Sequence, residues 1–226
     1  MKRVFIISFI SVLFICVIAA ESFSQRRAKD VINIIQEKYK RINDLKADLL
    51  QIEEVGFYAV LDTAQIKISL LKEDYFRIES TDAVWVTDGK ISQDFNRTKN
   101  ILTIDDFRED DDTISPKKFL FEFPDKYNIE DFRQESKFNS SGFILEMVPK
   151  KPDDEMTQFM EVWVDAADSL VKYVRTIDFN ESEKIFILGN YVTNTGLTKV
   201  DFEIKTNAET RPIDLRKKKG SEAKKS

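Results

Sequence analysis

The spacing of apolar residues changes period once along this chain, and that change limits what it can fold into. From Arg26 to Asp44 the apolar positions Val31, Ile34, Ile35, Tyr39 and Ile42 fall on one stripe of an α-helix, with Lys and Glu on the opposite side. Beyond it the period becomes two. Leu45, Ala47 and Leu49 alternate with Lys46 and Asp48, and Ile66, Ile68 and Leu70 alternate around Lys67 and Ser69. Further β-like runs are Tyr75–Glu79, Ala83–Val86, Ile91–Phe95, Ile101–Ile104, Tyr127–Phe132, Phe143–Val148, Phe159–Val164, Leu170–Phe179 and Ile185–Val192. No strand–helix–strand alternation occurs, so a parallel nucleotide-binding sheet is excluded. The pattern predicts a mainly β (α+β) fold, with about eleven antiparallel strands wound in sequence.

The connections carry their own signals. Asp88-Gly89 suits a tight hairpin because glycine accepts positive φ, and a second turn is expected at Asn96 to Asn100. Ser115-Pro116 opens a short apolar helix containing Phe119, Leu120 and Phe123, which Pro124 stops. The supply of 18 Phe against 6 Gly and 5 Pro suits long strands facing an apolar interior.

Composition narrows the chemistry. The 226 residues suit one domain, and a net charge of −5 disfavours nucleic acid as a partner. There is no histidine, which removes the usual general base of Ser and Cys nucleophiles and the commonest transition-metal ligand. The one cysteine, Cys16, lies in an apolar leader, so a chain cut beyond it has no thiol chemistry. Only carboxylates remain for metal or acid–base work. Glu109-Asp110-Asp111-Asp112 lacks the ligand alternation, central Gly and terminal Glu of a calcium loop and reads as a solvated loop. The adjacent pairs Asp105-Asp106 and Asp153-Asp154 give no sign of being held across a cleft. No catalytic residue, metal ligand or cofactor is assigned.

Met1-Lys2-Arg3 followed by the apolar run Val4 to Ile18 and the small residues Ala19, Ala20, Ser22 and Ser24 reads as a signal peptide over 1–24. Retention as an anchor and acylation of Cys16 are the competing readings. A domain is expected over 25–215. From Arg216 onward, Lys217-Lys218-Lys219, Gly220 and Lys224-Lys225 read as a basic disordered tail over 216–226.

In this order the features resemble the LolA family of periplasmic lipoprotein carriers. The helix leads into Leu45-Lys-Ala47-Asp-Leu49. Tyr75-Phe76-Arg77-Ile78 stands where the family has a strand with an aromatic. Val84-Trp85-Val86-Thr87-Asp88-Gly89-Lys90 is similar to its strand ending in Ser-Asp-Gly-Lys, with Phe95-Asn96 after it. Phe143-Ile-Leu145-Glu-Met147-Val-Pro149-Lys150 resembles its Leu-x-Pro-Lys strand end. Val162-Trp163-Val164-Asp165 with Leu170, then Asn194, Leu197 and Phe202, match its closing segments. The chain departs from the family at its Arg-Pro pair, where Lys72-Glu73 stands; in the family that arginine is tied to the lid that opens for cargo.

The resemblance implies an unclosed antiparallel β-barrel with helices covering a concave apolar face. It also implies a non-enzymatic periplasmic carrier of lipoprotein acyl chains. Its partners would be an inner-membrane lipoprotein-release complex and an outer-membrane acceptor, and a monomer is expected. Alternation and apolar content select Leu49, Ile66, Ile68, Phe76, Ile78, Trp85, Phe119, Leu120, Leu145, Met147, Val162 and Val164 as the candidate acyl-chain lining. The alternative is a secreted lipoprotein-sensing or interaction module on the same fold, without transport.

Overall fold

A computed structural model describes residues 26–55, 60–72, 74–108 and 126–216. The expected leader, the expected solvated loop at Glu109–Asp112, the expected short helix with Phe119 and Leu120, and the expected tail beyond Arg216 lie outside the described residues. Helix α1 covers 26–40. The strands are β1 (Asp44–Val55), β2 (Val60–Leu71), β3 (Tyr75–Glu79), β4 (Ala83–Thr87), β5 (Ile91–Asn96), β6 (Ile101–Asp106), β7 (Tyr127–Lys137), β8 (Ser140–Pro149), β9 (Thr157–Asp165), β10 (Val171–Asp178), β11 (Glu183–Thr193) and β12 (Arg211–Asp214).

All twelve strands form one sheet, in the order β12-β6-β5-β4-β3-β2-β1-β11-β10-β9-β8-β7. Its edges, β12 and β7, do not pair with each other, so the barrel is unclosed. The sheet bends far enough for one buried cluster to join Ala28, Val31, Ile35 and Tyr39 of α1 to inner-face residues from Phe132 of β7 to Phe76 of β3, with Trp85 of β4 packed against it.

Three sequence expectations need correction. Helix α1 ends at residue 40 rather than at Asp44, because Lys72 Nζ caps the carbonyl of Lys40 and Asp44 has already joined β1. Ile34, expected on the buried stripe, is 54% exposed; the stripe runs through Ala28, Val31, Ile35, Tyr39 and Ile42, and Ile34 lies about 100° around the helix from Ile35. The sheet is not wholly antiparallel, since β12 pairs in parallel with β6. This twelfth strand reads Arg-Pro-Ile-Asp and has no alternation to reveal it. Its proline is tolerated because the bonds of Arg211 N–H to Asn100 and of Leu215 N–H to Ile104 place the odd-numbered amides toward β6, and Pro212 needs no donor on the open edge.

The hairpin signals hold. Gly89 adopts φ +80°, while the Asp88 carboxylate accepts the N–H groups of Lys90 and Ile91, each at 2.9 Å. Asn100 closes the next turn at φ +50°. At the other end of the sheet the Trp163 indole covers Gly142 so closely that a Cβ there would meet the ring at 2.5 Å, and its N–H donates to the Glu135 carbonyl at 3.0 Å. Trp163 is fully buried on the outer face, not the inner one.

The segment after β11 crosses the outer face. Phe202 and Leu197 pack there against Val84, Val86, Phe95 and Tyr75, forming a second, smaller core. Its starting point is fixed by Asp44, 3% exposed, whose carboxylate accepts bonds from Thr195 N–H (2.7 Å), Thr195 hydroxyl (2.8 Å), Gly196 N–H (2.9 Å) and Leu197 N–H (3.3 Å). Burial pushes this carboxyl upward, but the donors together outweigh it and hold it below its ordinary value. Stability from a depressed carboxyl is present above its unfolded pKa and is lost as pH falls through the folded one. Asp44→Ala should therefore cost about 3 kcal/mol at neutral pH, with the gap between variant and parent in urea denaturation closing as the solution is acidified through that folded value.

Candidate functional site

Cross-strand register sorts the side chains into two faces. On the inner face Ala47, Ile68, Ile78 and Trp85 form one row across β1 to β4, and Leu45, Leu70 and Phe76 form the next. Leu49 pairs with Ile66 on one side and Leu188 on the other. Across the remaining strands run Phe186, Val174, Val162, Leu145 and Phe132, with Val171, Val164 and Phe143 above them and Thr176, Met160, Met147 and Ile129 below. The ten described candidates, Leu49, Ile66, Ile68, Phe76, Ile78, Trp85, Leu145, Met147, Val162 and Val164, all belong to or pack on one cluster.

They are not equivalent. Leu145, Met147 and Val162 are 0% exposed. Ile66, Ile78 and Trp85 are half-buried. Arg27 of α1 lies over the Phe132 ring of β7 at 5.7 Å, Tyr39 reaches β10, where its hydroxyl accepts a bond from Val171 N–H at 3.3 Å, and the end of the helix meets Lys72 after β2, so α1 runs diagonally over the inner face. Burial varies on both sides of it: Ile68, Leu70 and Phe76 are buried on β2 and β3, whereas Ile66, Ile78 and Trp85 on β2 to β4, and Ile129 and Phe143 on β7 and β8, are half-buried.

The apolar inner face ends at β4. Trp85 touches Phe107 at 6.1 Å between ring centres, but its neighbours across β5 and β6 are Asp94 and Thr103, with Ser92 and Asp105 in the adjoining row. On these strands the apolar side chains Phe95 and Leu102 face outward, and Phe95 packs with the segment carrying Phe202. Alternation alone does not reveal this reversal, because it cannot say which side of a strand is covered.

The carboxy-terminal end of α1 is held by polar contacts that sequence reading missed. The Tyr191 hydroxyl donates to the Val171 carbonyl beside Tyr39. Burial pushes both phenols well above their ordinary range, so both keep their protons. Asn43 N–H donates to Asn194 Oδ1 at 2.7 Å, Asn194 Nδ2 donates to the Arg41 carbonyl at 3.5 Å, and Lys72 Nζ donates to the Lys40 carbonyl. Lys72, after β2, therefore contacts the helix that packs on the inner face. By contrast, Arg27 holds the opposite end by its contact with an aromatic ring.

Among the described residues no group of three or more His, Cys, Asp or Glu side chains is placed to hold a metal ion. None of their helices is long and apolar enough to cross a membrane.

Comparison with known proteins agrees on architecture. No family model matches the chain. An uncharacterised protein of Methanocaldococcus jannaschii is 24% identical over 153 residues, which are 66% of this chain and 45% of that protein, so the match spans less than half of the relative. A crystal structure of an uncharacterised conserved protein from Thermus thermophilus superposes with a TM-score of 0.56 at 10% identity, covering 83% of this chain and 99% of that one. The two share a fold. A LolA superfamily protein from Nitrosomonas europaea also matches, with a TM-score of 0.39 at 9% identity over 76% of this chain and 97% of that one. The present fold is an unclosed barrel with a helix on its inner face.

Tyr39→Phe deprives the buried Val171 N–H of its acceptor and should cost about 1–3 kcal/mol. Chemical denaturation measures the loss, and hydrogen exchange should quicken in the last turn of α1 before it does so in β9.

Proposed function

We propose that this chain is a non-enzymatic carrier that holds the acyl chains of lipoproteins or lipids against the inner face of the sheet. The observation that supports this most is the half-buried apolar surface of Ile66, Ile78 and Trp85, which pack on the core from the inner face and keep part of their surface accessible. Each methylene taken from water onto such a surface gains about 0.8 kcal/mol, so a single long chain finds a strong driving force without any covalent step. Leu49, Ile68 and Phe76 extend the same surface. Leu145, Met147, Val162 and Val164, together with Phe119 and Leu120 outside the described residues, complete the proposed lining once α1 yields. Loading and release are then shifts between a state with α1 seated and one with α1 displaced, biased by cargo.

The leader and the LolA resemblance support a periplasmic setting. Cargo would arrive from an inner-membrane release complex and leave for an outer-membrane acceptor. Lys72, capping the end of α1, takes the part that the family assigns to its arginine in holding the covered state.

Mass spectrometry of organic extracts from natively purified protein should find co-purified acyl species. Ile78→Asp introduces a charge at a half-buried position and should weaken a fluorescent fatty-acyl probe at least tenfold, a change of about 1.4 kcal/mol, with β circular dichroism unchanged. Undiminished probe binding by the folded variant counts against the proposal.

A further inference from the structure

The sheet has two outer edges, and they are built differently. β12 is a four-residue strand that contains Pro212. β7 runs for eleven residues without proline or glycine, and no described strand pairs with its outer edge. A long edge of this kind is a template for a further strand.

The hairpin that joins β7 to β8 fixes which backbone groups that edge offers. Phe138 and Asn139 form a two-residue turn with φ of +53° and +57°, the geometry of a type I′ turn, so the flanking Lys137 and Ser140 are a hydrogen-bonded pair. Bonded and non-bonded pairs alternate along an antiparallel ladder, and the register with β8 is unbroken from Asp131 to Lys137. The amides of Asp131, Arg133, Glu135 and Lys137 therefore face β8. The Glu135 carbonyl, which also accepts the Trp163 indole N–H, lies on that side. The amides of Gln134 and Ser136 face outward. The irregularity between Ile129 and Asp131 ends the regular stretch, which leaves 131–137 as the pairing edge.

The outer-face side chains of this stretch alternate in sign. Asp131, Arg133, Glu135 and Lys137 form one row, none of them buried, in which Arg133 meets Asp131 at 3.0 Å and Glu135 at 3.2 Å, and Lys137 meets Glu135 at 3.7 Å. Charges on an edge usually repel a second strand. This row, however, becomes its own complement when reversed, so an antiparallel copy meets opposite charges and a parallel copy in register meets like ones.

We propose that β7 is a homodimer edge, pairing antiparallel with β7 of a second copy about a two-fold axis at Gln134. In this register Gln134 exchanges backbone bonds with the partner's Gln134. Asp131 stands opposite the partner's Lys137, Arg133 opposite the partner's Glu135, and Ser136 opposite the partner's Phe132. An axis at Arg133 or Glu135 meets amides that point away. An axis at Phe132 brings Gln134 against the partner's Glu130, inside the irregularity, and one at Ser136 runs Gln134 into the partner's Phe138, in the turn. The backbone bonds carry the contact, and the charge pairs set its register while adding little each. A contact of one strand edge is small, so association is weak and depends on concentration. The monomer implied by the family resemblance is then the dilute state. No ligand takes part, so the inference does not depend on the carrier reading.

Sedimentation velocity of the full chain over a range of concentrations tests it, and the mass should rise from that of one chain toward that of two. Gln134→Pro removes the outward N–H at the axis, at a position where the ladder with β8 needs no donor. It should leave single chains at concentrations where the parent is half dimeric, with β circular dichroism unchanged. Asp131→Lys sets lysine against the partner's Lys137 on both sides of the axis and should weaken association about tenfold. In a Cys16→Ser background, Gln134→Cys should give a disulfide-linked dimer on mild oxidation, since directly opposed residues lie within disulfide reach. Ser136→Cys, roughly 14 Å from the partner's Ser136, should not. A single-chain mass at every concentration, as expected if the chain itself or a different partner covers the edge, overturns the proposal. So does association unchanged by Gln134→Pro and Asp131→Lys, or cross-linking of Ser136→Cys equal to that of Gln134→Cys.

Discussion

Among the described residues one short helix lies on the apolar side of a very wide sheet, and much of the described structure follows from that mismatch. Helix α1 over 26–40 is about 22 Å long and roughly 10 Å across. The apolar inner face spans nine strands from β7 to β4, roughly 40 Å at the usual strand spacing. Bending the sheet brings more of it to the helix, but the cover is uneven. Leu145, Met147 and Val162 are buried completely and Ile68 and Phe76 nearly so, whereas Ile66, Ile78 and Trp85 keep part of their surface accessible.

The outer face is handled by other means. Over β3 to β5 the carboxy-terminal segment adds its own cover, anchored where Asp44 receives the bonds of residues 195–197 and closed by β12 along the β6 edge. Over β7 to β11 the outer face carries charge: Arg133 meets Glu146 and Glu135, and Arg175 meets Glu183. Such solvent-facing pairs add little stability each, but they keep this surface wet and leave the inner face as the extended apolar one. Anchoring is also uneven along α1, with hydrogen bonds gathered around Tyr39, Lys40 and Arg41 and an arginine–aromatic contact at Arg27.

Much of this was legible in the chain. Alternation placed every strand from β1 to β11, and Asp88-Gly89 and Asn100 marked real turns, because these signals are local and each has a direct steric cause. The ten described candidates share one face because a period of two survives any amount of sheet bending. What escaped was tertiary. Ile34 looked like core by hydropathy, yet the sheet lies on the other side of the helix. Arg211–Asp214 has no apolar rhythm and became a strand because β6 offered an edge. Ser92, Asp94, Thr103 and Asp105 ended the apolar face because a distant segment covers the opposite side of β5. Nothing near Tyr39 or Tyr191 in sequence announces that they meet at Val171.

The most direct test is paramagnetic relaxation of isoleucine methyl groups by a fatty-acyl chain bearing a nitroxide near its methyl end. Broadening of Ile66 and Ile78, with the outward-facing Ile52 and Ile187 left sharp, is the result expected if hydrocarbon occupies the uncovered part of the inner face. Sharp Ile66 and Ile78 signals at saturating ligand, or broadening confined to Ile52 and Ile187, would contradict it.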